Sequence, residues 1–413
     1  MRGRNGRGRE GAGVENRSEA RGAVDLEKEA GDLRRRLVRL IADGRKSELG
    51  ADMLSLDPSV YTDPDRFEAE RREIFAREPM LVGLSDELRE PGDRILFDLA
   101  GPPVLVIRGR DGVLRAFLNM CTHRGARLVS DCEPTKRLLC PFHGWAYDLD
   151  GRLAGLPLTR AFEGLDEKKR GLVRVPVAEW NGMVFVRARP GEEALELEGF
   201  LGPIAPLLAA LDFGSLRRVR SSRIEARCNW KLALDMGRET YHVPVVHRKS
   251  LARNLEAHVT VFDRYGLHNR FAGADRGLAG LVGKPESEWP ECDYQAVHYL
   301  FPNTTLSFTH AVDGETPIMT MSRVYPGGSV GRSVTELSIH ARGERSEAAD
   351  AAIGAIHDAV VEIVRGEDYA VAESVWRSIE HGRPGIPFVL GRNELLVQQT
   401  HRLVADRIGM PLP

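Results

Sequence analysis

Two short cysteine–histidine pairs constrain this chain more than any other feature. Cys121-Thr-His123-Arg-Gly125 is followed, sixteen residues after His123, by Cys140-Pro-Phe-His143-Gly144-Trp145. Thiolates are soft ligands and imidazoles borderline ones, so four such side chains converging on one centre suit zinc or an iron–sulfur cluster. At one fixed spacing they are expected by chance on the order of 10⁻⁴ times per chain, so coincidence is set aside. The fold must bring the two pairs together across about a hairpin's worth of chain. Spacing alone leaves two centres open. Zinc takes four ligands on one ion; a [2Fe–2S] centre takes two thiolates on one iron and two imidazoles on the other. Five cysteines in 413 residues do not make a disulfide framework. Cys132, Cys228 and Cys292 read as packed or surface thiols.

Around the pairs the sequence predicts short strands at 94–99, 104–108, 114–118, 138–140, 145–149, 173–177 and 183–187. Asp111-Gly112, Asp150-Gly151 and Asn181-Gly182 are turn dipeptides between them. This is a small antiparallel β domain, placed at 80–190. Residues 1–22 are Gly/Arg-rich and aperiodic and read as a disordered tail. Residues 23–79 form a helical segment, with helices near 25–44 and 66–76. Residues 191–413 mix strands (220–226, 296–300, 305–309, 318–324, 333–340) with helices near 199–210, 231–242, 347–365 and 394–408, an α+β pattern. A net charge of −2 argues against a nucleic-acid binder. With no membrane-length apolar run and no visible signal peptide, the expected place is the cytoplasm.

A second constellation lies in the C-terminal half. Asn229-Trp230-Lys231 leads to Asp235, Glu239, Tyr241, His242, Pro244 and His247. Asp235, Glu239 and His242 fall at i, i+4 and i+7, which predicts one shared helical face. Pro244 is expected to end that helix and let His247 fold back toward His242. A site of two histidines and one carboxylate needs one more oxygen ligand. Asp368, in Arg365-Gly-Glu-Asp368, is the best candidate, although on its own it reads as a helix N-cap before a ligand.

The flanks of both constellations resemble one family. Arg124-Gly125 and Pro141-Phe142-His143-Gly144-Trp145 resemble the cluster loops of Rieske proteins. Asn229-Trp230-Lys231, a following acid, Tyr241-His242, four residues and His247 resemble the iron-site segment of Rieske non-haem iron oxygenase catalytic (alpha) subunits. That is the superfamily of aromatic-ring-hydroxylating dioxygenases. Glu367-Asp368, four residues and Glu373 resemble its third-ligand segment. The match covers about 80–410 in order.

The resemblance implies a Rieske domain followed by a helix-grip catalytic domain, an antiparallel sheet with packed helices. It implies that Cys121, His123, Cys140 and His143 bind a [2Fe–2S] cluster and that His242, His247 and Asp368 bind a mononuclear Fe(II). It gives Glu239 a catalytic role as the link between His242 and the partner subunit's His143 in a head-to-tail homotrimer, or a multiple of one. Most members carry Asp at that place; Glu is similar to what carnitine-type members carry. The implied activity is terminal oxygenation of a small organic, aromatic substrate with O2: mono- or dihydroxylation, or oxidative demethylation. Electrons are expected from NAD(P)H through a reductase, directly or by way of a ferredoxin, with or without a β subunit. Quaternary-amine oxidation is the alternative substrate class. An iron–sulfur carrier or sensor, or a zinc protein, is the alternative function class. Phe262, Tyr299, Phe301, Phe308, Met319 and Met321 are candidates for the substrate pocket, although each on its own reads as plain core before a substrate contact.

Overall fold

The computed structural model describes residues 15–16, 23–44, 47–311, 316–382 and 385–413. Glu15–Asn16 (β1) is a short strand where a disordered tail is expected; the rest of that tail lies outside the described residues. The leucine spacing of the next segment makes helix α1 (Leu26–Ala42), capped by the Asp25 carboxylate, which accepts from the Glu27 and Lys28 amides at 3.0 and 3.2 Å. Helix α2 (Pro64–Glu70) follows the Asp63 cap and runs on as a π-helical turn over Arg71–Phe75.

Alternating apolar residues and glycine turns then build three small antiparallel sheets. One joins β3 (Arg94–Phe97), β4 (Val104–Arg108), β5 (Leu114–Leu118) and β9 (Arg174–Val175), in the order β9-β5-β4-β3. A second pairs β11 (Met183–Val186) with β2 (Met80–Leu84) on one side and β10 (Val177–Trp180) on the other. The third, β6 (Leu138–Leu139), β7 (Ala146–Tyr147) and β8 (Leu153–Gly155), is short because its strands exist to hold two loops. Gly112, Gly151 and Gly182 hold positive φ at the three expected turns.

The remaining chain forms one large sheet. Its strands are β12 (Leu216–Ala226), β13 (Leu255–Tyr265), β14 (His268–Asp275), β15 (Ala296–Leu300), β16 (Thr304–His310), β17 (Pro317–Pro326) and β18 (Ser333–Arg342). The order is β1-β13-β14-β15-β16-β17-β18-β12, antiparallel except for the β1–β13 pair. Helices α3 (Trp230–Asp235), α5 (Glu347–Ile363), α6 (Tyr369–Ile379) and α7 (Leu395–Ile408) complete an α+β domain. Sequence reading missed β13 and β14. Their apolar pattern is broken by Asp263 and Arg270, both fully buried. These charges pair with each other at 2.6 Å, Arg36 with Asp263 at 2.8 Å, and Arg270 with Glu29 at 2.9 Å. The network satisfies charges that otherwise mark a strand as exposed. Among the described residues no helix is long and apolar enough to cross a membrane.

Three sheet histidines are buried and neutral. Burial lowers His268 to about 4; burial with nearby Arg270 lowers His298 to about 3; and burial with Arg323 and Arg218 lowers His340 to about 3. In the unfolded chain each titrates near 6.5, so between there and pH 3–4 the unfolded state binds more protons. Stability is therefore whole above about pH 6.5 and falls on acidification, by about 1.4 kcal/mol per pH unit per imidazole at most. Urea midpoints at pH 7.5 and 5.5 should differ in that direction, and an unchanged midpoint would show that the imidazoles are accessible to protons in the fold.

Candidate metal centres

The first pair of ligands lies beyond β5 and the second between β6 and β7, and the two loops share one design. In each, the amide of a glycine four residues on donates to the cysteine carbonyl: Gly125 to Cys121 at 2.9 Å, Gly144 to Cys140 at 3.0 Å. In each, the cysteine amide donates to the carbonyl after that glycine: Cys121 to Ala126, and Cys140 to Trp145, both at 2.8 Å. Both glycines hold φ near +70° (76° and 71°), which a side chain would disfavour. Twin loops of this shape turn four ligand-type side chains toward one another. The thiols of Cys121 and Cys140 are buried, and the His123 and His143 rings meet at 4.8 Å. His123 stacks on Trp145 at 4.7 Å, within 6° of parallel.

Burial pushes the Cys121 thiol up, with the Cys140 sulfur adding to the effect, so the bare Cys121 thiol resists ionising. A bound metal removes that obstacle by replacing the proton. The Tyr147 hydroxyl lies 3.2 Å from Cys121 Sγ and accepts from the Thr122 amide at 3.1 Å. It can donate to that sulfur, the kind of contact that raises a cluster's potential where the sulfur is a ligand. Cys132 is exposed and Cys228 is buried against Ser333, both apart from this site.

The second constellation starts from a firm anchor. Asn229 caps α3 by accepting from the Lys231 amide at 3.0 Å, and its amide donates to the Val330 carbonyl at 3.1 Å. Trp230 and Lys231 both donate to the buried Glu70 of α2, at 2.7 Å and at 2.6–2.7 Å. The Asn-Trp-Lys segment thus ties the start of the metal-site stretch to the helical core.

The expected single helix over 231–242 does not form. Helix α3 stops at Asp235, and Gly237, a poor helix former, follows in a turn. Asp235 consequently leaves the predicted face. It accepts from Tyr61 at 2.8 Å and lies 3.0 Å from His401 Nε2. Pro244 does not end a helix but sits at the start of a short one, α4 (Val243–Val246), where its missing N–H costs nothing. One turn of α4 still brings His247 back to His242.

The outcome is a compact cluster. His242 Nε2 and His247 Nε2 are 3.2 Å apart, and Asp368 Oδ1 lies 3.1 Å from His247 Nε2 and 3.4 Å from His242 Nε2. The three ligand atoms all fall within 4.8 Å of one another, so they can hold one metal ion. Asp368 closes a π-helical turn, Val364–Asp368, that joins α5 to α6 without a break. Gly366 lies inside this turn without ending the helix, and Asp368 caps nothing, contrary to the N-cap reading: its backbone is helical and its carboxylate points to the imidazoles. The wider π turn re-aims that side chain.

Each imidazole has a carboxylate on its outer nitrogen. Glu239 Oε1 contacts His242 Nδ1, and Glu367 Oε2 lies 2.6 Å from His247 Nδ1 while accepting from Ser250 Oγ at 2.6 Å. A carboxylate on Nδ1 fixes the tautomer that leaves Nε2 free for a metal. Burial opposes charging His242, but Asp368 and Glu239 outweigh it and hold it up at about 9. Three acids around two imidazoles make a cradle that takes up a proton when no cation fills it, the electrostatics suited to a divalent metal. Glu367 was not singled out in the sequence, although its place beside Asp368 was the available signal. Of the six candidate pocket residues, Phe262 packs with Phe271, Leu395 and Leu396, and Tyr299 and Phe301 sit in the central core. Met319, Met321 and Phe308 pack in a second core cluster. Five of the six are buried core residues, while Phe308 is half-buried against its cluster and lines a separate cavity.

Comparison with known proteins agrees with both centres. Residues 78–176 match the Rieske [2Fe-2S] domain, and residues 213–410 match the ring hydroxylating alpha subunit (catalytic domain). The chain is 34% identical over 251 residues to the glycine betaine monooxygenase oxygenase subunit of Chromohalobacter salexigens, covering 58% of this chain and 53% of that protein. It is 31% identical over 242 residues to the chlorobenzene dioxygenase subunit alpha of a Cupriavidus species, covering 56% and 54%. It thus spans about half the length of the curated relatives it matches. Its fold is that of the quaternary ammonium Rieske monooxygenase CntA, solved with L-carnitine: TM-score 0.71, 24% identity, 86% of this chain and 95% of that one.

Proposed function

Because this chain belongs to the Rieske non-haem iron oxygenase alpha subunits, pairing a [2Fe–2S] domain with a ring-hydroxylating catalytic domain, we propose that it is the terminal oxygenase of an NAD(P)H-dependent system. The reaction is mono- or dihydroxylation, or oxidative demethylation, of a small organic molecule. The observation that carries this reading is the meeting of His242, His247 and Asp368 within 4.8 Å, from segments more than a hundred residues apart.

In this reading Cys121 and Cys140 hold one iron of the cluster and His123 and His143 the other, while His242, His247 and Asp368 hold a mononuclear Fe(II). When bound, the cluster supplies single electrons and the mononuclear iron a site for O2. Glu239 and Glu367 hold the imidazoles by Nδ1, so that both Nε2 atoms stay unprotonated and aimed inward. Buried Asp368 adds the charge and leaves one face of the site open for O2 and substrate.

Exposed apolar residues support the proposed assembly. Exposed Leu139, Phe142 and Leu158 surround the cluster loops, and exposed Tyr241 and Val245 flank the metal-site histidines. Two unlike apolar patches on one chain fit a head-to-tail ring of the kind a homotrimer forms. The Glu239 carboxylate would then link His242 to His143 of the partner subunit. A reductase, with or without a ferredoxin, supplies electrons.

Iron and acid-labile sulfide analysis with a visible spectrum tests the assignment, together with O2 uptake by the chemically reduced protein. A coloured protein that consumes O2 is expected. A colourless zinc protein, or a coloured one inert to O2, would refute it.

A further inference from the structure

A cavity of about 280 Å³ lies beside the segment that carries His242 and His247, with none of His242, His247 and Asp368 in its lining. Val243 and Pro244, which follow His242, form part of its wall, and Arg248, which follows His247, forms another. Val259 of β13 adds apolar surface. Three guanidinium groups line the cavity, those of Arg248, Arg253 and Arg276, against one carboxylate, that of Glu256.

The three cations are not equivalent. Arg276 is spent on the fold, donating to the carbonyls of Ala252 at 3.2 Å and Leu255 at 3.3 Å. The side chains of Arg248 and Arg253 are exposed and have no hydrogen bond or ion pair with any described residue. His258 adds a polar group without a partner. It sits at a break in the β13–β14 register with φ +60°, and its Nδ1 is buried and unbonded. A non-glycine residue held there is strained, a state that clusters at ligand sites.

These features discriminate between substrate classes. A quaternary ammonium group is held by an aromatic cage, yet no Phe, Tyr or Trp occurs among the described residues lining the cavity, and the surplus charge repels a cation. A neutral arene gains only a weak cation–π contact from free guanidinium groups. A carboxylate gains charge-assisted, forked hydrogen bonds. Resting on the oxygenase reading above, we propose that the cavity recognises a small organic carboxylate. The carboxylate lies on Arg248 and Arg253, and the carbon skeleton lies against Val243, Pro244 and Val259. A zwitterion would be taken by its acidic end.

Calorimetric titration of the metal-loaded protein with benzoate, benzyl alcohol, glycine betaine and choline tests this. Benzoate should bind at least about tenfold more tightly than benzyl alcohol, and glycine betaine than choline. Arg248→Gln/Arg253→Gln should erase both preferences and leave benzyl alcohol binding and the visible spectrum unchanged. Equal binding within each pair would overturn the proposal. So would a preference that survives the double substitution, since the carboxylate would then sit elsewhere, as on the metal. O2 uptake separates this idea from the reading it rests on. Arginine-dependent carboxylate binding without any O2 uptake sinks the oxygenase assignment alone. Uptake driven by choline or benzyl alcohol, with carboxylates unbound, sinks the carboxylate proposal alone.

Discussion

His247→Ala is expected to abolish substrate turnover while leaving the visible spectrum of the cluster intact. The residue is buried, its Nε2 faces both His242 and Asp368, and its Nδ1 is tied to Glu367. On the proposed function alanine removes a metal ligand and strands the Glu367 carboxylate, so the affinity of the mononuclear site should collapse. Among the described residues no hydrogen bond, ion pair or ring contact joins the twin cysteine–histidine loops to this part of the chain; their contacts include Tyr147, Trp145 and Phe162. Iron analysis should show loss of the mononuclear equivalent alone, and turnover should fall by a factor of at least about 10³, as for removal of a residue acting as part of a unit. If the cluster spectrum vanished with it, the division into two independent centres would be wrong.

Glu239→Gln should lower turnover by about a hundredfold, the upper range for groups that orient a metal ligand. The amide has nearly the shape of the carboxylate and can still meet His242 Nδ1, so the mononuclear iron and the cluster should both remain. What is lost is the negative charge that keeps the Nδ1 proton in place and Nε2 free, together with the acidic link that the proposed ring would make to its partner subunit. Glu239→Asp, the residue most members of the family carry, should recover most of the rate even though its side chain is one methylene shorter. Rapid-mixing measurement of cluster re-oxidation by O2 reads the effect directly. Parent-like rates in the Gln variant would reduce Glu239 to a structural contact, as would a loss that Asp does not rescue.

The legibility of the site in the sequence was uneven, for physical reasons. The helical face drawn through Asp235, Glu239 and His242 was wrong, because periodicity assumes the helix continues and Gly237 ended it. Glu239 reached His242 through a turn, and Asp235 joined Tyr61 and His401. Strands β13 and β14 escaped notice because Asp263 and Arg270 are buried as partners, and a pairing between residues of different elements leaves no local pattern.

By itself the sequence determined which atoms are available to bind metal. That follows because thiolate, imidazole and carboxylate chemistry belongs to side-chain identity, and two of the three ligand groups sit within a few residues of each other. Only the tertiary structure decided how those atoms are aimed: Asp368 by a π-helical turn, His247 by Glu367 at 120 residues' separation, and the start of the metal-site segment by Glu70. Aim depends on packing between distant elements, and such contacts are written in no single stretch of chain.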